Sequence, residues 1–209
     1  MKKTWLETAS EALLEKSIEK VDFNIARLEW RYVGVVDNLN CDGSCQLCGF
    51  NPIRYEYELI NIYNSNQLIV GSECIGKFTN NYTIDLLDTY GNIVDKTRVT
   101  GDRNDYFKKK LHEQLDNITK YERNSFVLSI VEEIKEIGKL TPNQLKCTKQ
   151  IYHKLSDLGK IAFKQTIHVK LAKDREKEQI ENMKETDLRF VMQFMTSSQR
   201  SKYLYCLPE

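Results

Sequence analysis

The chain has 209 residues, 41% hydrophobic and 29% charged, which is enough apolar material for a real core and excludes a disordered or fibrous polypeptide. Its 31 Lys and Arg against 30 Asp and Glu exclude a polycation that coats nucleic acid indiscriminately, so any such contact must come from local patches. No apolar run approaches a membrane span, and the N-terminal MKKTWLETASEALLEK turns acidic and amphipathic where a signal peptide needs an apolar core.

Residues 4–21 predict an amphipathic helix: Thr4 caps it, Glu7 stands at the capping-box position, and Leu6, Ala9, Leu13, Leu14, Ile18 and Val21 recur at helical spacing. Residues 25–36, IARLEWRYVGVV, read as a strand, with Ile25, Arg27, Glu29 and Arg31 on one face and Ala26, Leu28, Trp30 and Tyr32 on the other.

Residues 41–74 carry the chemistry. Four of the six cysteines fall here, and Cys41, Cys45 and Cys48 lie within eight residues. In CQLCG the pair Cys45 and Cys48 brackets a tight turn that Gly49 can close with left-handed backbone, as in a zinc knuckle. Residues 53–62 and 68–70 then form a hairpin about the turn Asn64-Ser65-Asn66. After Gly71, Ser72 starts a short helix with Cys74 in its first turn, where the helix dipole favours a thiolate.

Knuckle, hairpin and helix-borne ligand are the parts of a treble-clef finger, with one departure. The usual second helix ligand would stand at Lys77, which cannot bind metal while protonated, so Cys41 is the expected fourth ligand beside Cys45, Cys48 and Cys74. The expectation is one structural Zn2+ with no position left for water. Ordinary buried cysteines and a disulfide framework are the competing readings, and a chain of this size in a reducing compartment does not need disulfides.

At these residues the chain also resembles small zinc-binding proteins of unassigned function encoded by bacteriophages and other mobile elements. The resemblance rests on CxLCG, IRYxY and VGSEC followed by a basic, aromatic helix, and covers residues 28–80. It implies an accessory protein acting in the bacterial cytoplasm in nucleic-acid transactions.

Beyond the finger, residues 79–103 read as a connector. Asn80, Asn81 and Tyr82 look like loop, TIDLLDTYGNIV like a short helix ended by Gly91, and GDRND like a turn leading into a helix. Helical spacing then runs almost unbroken. Tyr106, Leu111, Leu115, Ile118 and Tyr121 mark one helix, and Phe126 to Ile137 the next, closed by Gly138. Thr141-Pro142 starts a third, residues 161–184 form a longer one, and residues 187–195 an apolar last one. The expected architecture is therefore α+β: a small antiparallel β zinc finger, treble-clef-like, plus an α-helical bundle. The expected domains are 1–100, with the finger at 41–80, and 101–209.

No catalytic set is legible. The three histidines, His112, His153 and His168, all lie outside the zinc stretch, which removes a treble-clef nuclease, and no nucleotide-binding glycine loop or hydrolase elbow is present. We expect no enzyme, no small-molecule substrate and no membrane partner. From Lys139 to Arg175 nine Lys or Arg face two acids, which makes Lys149, Lys154 and Lys164 candidate phosphate contacts. Arg54 and Lys77, with Tyr55 and Tyr57 as stacking platforms, are the candidates in the finger. Two functions fit: a zinc-finger protein that binds DNA or RNA, or an adaptor that binds a host protein while the zinc only holds the fold.

Overall fold

Thr4 and Glu7 cap one another at the start of α1 (Trp5–Lys16): the Glu7 amide donates to the Thr4 hydroxyl and the Thr4 amide to the Glu7 carboxylate. The helix stops at Lys16 because Ser17 turns extended, at φ −87° and ψ 166°, while its amide and hydroxyl both donate to the Leu13 carbonyl. Ile18 and Val21, expected on the inner face of a longer helix, therefore lie beyond it and are exposed. This computed structural model describes residues 3–80 and 85–207. It is mixed α+β and divides into two units, Met1–Tyr106 and Phe107–Glu209.

In the first unit, Asp22 accepts from the amides of Asn24 and Ile25 and so starts α2 (Phe23–Arg27), where a strand was expected. Arg27 is buried there, its guanidinium donating to the Phe78 carbonyl. Strand β1 (Trp30–Asp37) pairs antiparallel with β2 (Tyr55–Asn61), which pairs antiparallel with β3 (Gln67–Val70). Helix α3 (Ser72–Asn80) follows directly, and β4 (Leu87–Asp88) adds a parallel pair to β1, giving the sheet order β3-β2-β1-β4. β4 and its turn stand where a short helix was expected to run to Gly91; part of that segment, with Asn81 and Tyr82, lies outside the described residues. Trp30, Tyr32, Leu59, Leu68, Ile75 and Phe78 fill the core between helices and sheet.

Glu29, read only as sharing a strand face with Ile25, Arg27 and Arg31, is buried and joins three segments. Its carboxylate accepts from the amides of Ile18 and Glu19 at 2.7 Å each and from the Asn61 side chain at 2.6 Å. Burial alone would raise its pKa, but these hydrogen bonds outweigh it and hold the carboxyl below its usual value.

Helix α4 (Lys96–Thr119) runs through the unit boundary, so GDRND is helix and not turn. In the second unit α5 (Ser125–Ile137) ends at Gly138, whose φ of +63° is the left-handed cap expected. The chain then leaves in extended form as β5 (Lys139–Leu140). Thr141 and Pro142 start α6 (Pro142–Cys147) with a capping box completed by Gln144, and α7 (Lys149–Lys154) and α8 (Asp157–Thr166) follow.

The unit is not all-helical. Ile167 turns extended after α8, and β6 (His168–Val169) pairs parallel with β5, the His168 and Lys170 amides donating to Gly138 and Leu140. This break divides the helix expected over 161–184 into α8 and α9 (Asp174–Glu181), and α10 (Glu185–Met192) and α11 (Ser197–Lys202) complete the unit. Tyr152, Phe163, Phe190 and Phe194 form its aromatic centre, packed edge to face with centroids 5.1–5.7 Å apart.

Candidate metal centre

The knuckle folds as a local hydrogen-bonded turn. The Cys45 amide donates to the Phe50 carbonyl at 2.9 Å and the Gly49 amide to the Cys45 carbonyl at 2.8 Å, with Gly49 at φ +72°. Gln46 clamps this turn onto β3: its amide donates to the Ile69 carbonyl, and its side-chain oxygen accepts from the Ile69 amide. Gly71 lets the helix entry come close, since a Cβ there would meet the Ile53 side chain at 3.1 Å. Helix α3 then presents Cys74 to the knuckle.

The sulfurs of Cys45, Cys48 and Cys74 lie within 4.8 Å of one another, with Cys48 and Cys74 3.3 Å apart, and all are free thiols. In a tetrahedral zinc site with Zn–S bonds of about 2.3 Å the sulfurs sit about 3.8 Å apart, so these three need to move only about an ångström or less to ligate one ion. Cys41 is outside this group. Its backbone takes φ +52°, and its amide donates to the carbonyl of Asn38, whose own amide is tied to the Arg54 carbonyl.

Two features tune the sulfurs. A hydrogen bond from the Cys74 thiol, working against burial and joined by the amides of Gly71, Cys48 and Leu47, holds Cys45 well below an ordinary thiol. Cys74, as the donor of that pair, is pushed up. These directions are the reverse of the thiolate expected at the helix start, and metal uptake must displace the protons that remain on the cysteines. The Trp5 indole N–H also donates to the Cys74 sulfur at 3.2 Å. This contact spans 69 residues and was not read from the sequence, where the only trace was an indole that needs a partner when covered.

The three cysteines line a cleft of about 320 Å³ walled by Trp5, Phe50, Pro52, Ile53 and Tyr55, with Arg54, Glu73 and Lys77 supplying its charge. Lys77, at the position of the usual helix ligand, has its ammonium 5.0 Å above the Trp5 ring. Arg54 is bound by Asp37 at 2.8 and 3.1 Å. Tyr55 has the Arg54 and Arg103 guanidiniums over its ring at 5.4 and 5.1 Å. Tyr57 is only 2% exposed, which takes its ring away from any base.

In the second unit Lys149 is held by Asp187 and the Thr186 carbonyl. Lys154 is exposed. Lys164 lines a concavity of about 430 Å³ together with Arg189 and Arg200, two cations that lie outside the basic run read from the sequence. Comparison with protein-family models, with curated proteins and with solved structures finds no match. No helix among the described residues is long and apolar enough to cross a membrane.

Proposed function

We propose that this is a non-enzymatic zinc protein that binds nucleic acid, an accessory protein of a phage or mobile element acting in the bacterial cytoplasm. Its treble-clef-like finger over residues 41–80 is fixed by zinc, and its second unit makes the phosphate contacts. The observation that carries this reading is the convergence of the Cys45, Cys48 and Cys74 sulfurs from knuckle and helix. Cationic support comes from Lys164, Arg189 and Arg200 around one concavity, with Lys154 exposed on a neighbouring helix.

A second reading, an adaptor for a host protein, draws on the apolar side chains of Ile18, Ile25 and Tyr63, which are exposed around another concavity in the first unit. One experiment separates the two. Binding of single- and double-stranded DNA and RNA is measured against salt for the wild type and for the triple variant Lys164→Glu, Arg189→Glu, Arg200→Glu. Nucleic-acid binding requires affinity that falls with salt and a variant with weaker affinity and a flatter salt slope. A wild type that binds none of the four at low salt sinks this reading and favours the adaptor.

A further inference from the structure

Resting on the zinc reading above, we infer that the metal has only three protein ligands and that its fourth position opens into the aromatic cleft, where it takes a neutral imidazole. The argument begins with the count. Among the described residues, no fourth Cys, His, Asp or Glu joins the Cys45, Cys48 and Cys74 cluster, and the cleft these three line does not include Cys41. A four-coordinate zinc therefore has one direction left, and the cleft lies beside it.

The cleft also restricts what comes in. Three thiolates on a dipositive ion leave one net negative charge. Of the two cations lining the cleft, Arg54 is already paired with Asp37, and the charge of Lys77, whose ammonium stands over Trp5, is matched in number by the opposite charge of Glu73 in the same lining. With Lys77 offset by Glu73 in the lining, a fourth thiolate would add a charge that no surplus cation there balances, whereas a neutral nitrogen donor adds none. The walls of Trp5, Phe50, Pro52 and Tyr55 suit a flat ring, and about 320 Å³ is at the lower end of the volume of small-ligand sites. Three sulfurs with one imidazole is also a stable zinc donor set. The chain's own histidines, His112, His153 and His168, all belong to the second unit, so the first unit supplies no imidazole itself.

The test is X-ray absorption at the zinc edge on the full-length zinc-loaded protein, with and without added imidazole, and with N-acetylhistidine amide as the form a protein side chain takes. Expected are three sulfurs and one lighter atom in both the wild type and Cys41→Ser, with the outer-shell scattering of an imidazole ring appearing on titration. The blocked histidine binding more tightly than imidazole points to a side chain as the source, and the reverse to a free small molecule. Phe50→Ala, which removes an apolar wall without adding a donor atom, should leave the zinc content unchanged and weaken imidazole binding about tenfold.

Four sulfurs in the wild type falling to three in Cys41→Ser would mean that Cys41 closes the site; this overturns the open position and leaves the zinc reading intact. Three sulfurs with no ring signal at excess imidazole overturn the ligand. Preferential uptake of benzyl mercaptan, giving four sulfurs, overturns the neutral-donor argument. A chain that takes up no zinc overturns both this inference and the zinc reading.

Discussion

The two units hold their shapes by different means. The first ties distant segments together: β1 pairs with β2 across the whole cysteine loop, Glu29 joins the α1 exit to the end of β2, and Trp5 reaches Cys74. The second assembles short helices, with α5, α6, α8 and α11 each started by a side-chain cap, around four edge-to-face aromatic rings. The difference teaches where each is vulnerable. A unit built on distant ties fails when a tie is cut, and a unit of capped helices fails when its shared centre is emptied.

The largest effect should come from the metal centre. On the zinc reading proposed above, Cys45→Ser or Cys74→Ser should abolish metal binding in the full chain and unfold residues 41–80, because structural zinc in small fingers contributes on the order of 10 kcal/mol. Elemental analysis together with hydrogen exchange should show lost protection over residues 41–80 and retained protection in α5 to α10. Protection lost equally in both units would break the comparison.

The mirror-image variant is Tyr152→Ala. Tyr152 is buried against Phe163, Phe190 and Phe194, and truncating a core aromatic costs about 3–5 kcal/mol. Denaturation followed separately by metal release and by far-ultraviolet dichroism should show the second unit weakened at unchanged zinc content.

A smaller effect depends on pH. Glu29 is held below its usual pKa in the fold, so the stability it adds is complete above the unfolded carboxyl value of about 4.3 and is lost as pH falls through the lower folded value. Between pH 6 and 3 the wild type should lose stability that Glu29→Gln does not. Proton competition at the cysteines is common to both proteins and cancels in the difference. Parallel pH profiles for the two would remove Glu29 as a tie.

The smallest expected change is at a single cap. Thr141→Ala removes the hydroxyl that accepts from the Gln144 amide and should cost about 1 kcal/mol, read as a shift of the second unit's denaturation midpoint without change in slope. A loss several times larger would mean that the second unit also depends on long-range ties around this turn.

By itself the sequence determined what is decided within a few residues: the Thr4–Glu7 box, the knuckle closed at Gly49, the hairpin turn at Asn64 to Asn66, the left-handed stop at Gly138 and the start at Thr141-Pro142. Each is a hydrogen bond or a φ value set by neighbours one to four positions away, so residue type and spacing suffice to see it. Apolar periodicity likewise found most helices, but it ran through the breaks at Ser17 and Ile167, because a helix stop made by an ordinary residue leaves no mark in the pattern.

Only the tertiary structure decided which members of each set meet. The register of β2 on β3 and the docking of the knuckle bring three of the four clustered cysteines together and leave Cys41 outside. The sheet turns Tyr57 inward, and the packing of α10 gives Lys149 its partner in Asp187. Burial, ion pairing and sulfur convergence depend on atoms tens of residues apart, and a side chain's type does not encode which distant neighbour it will face.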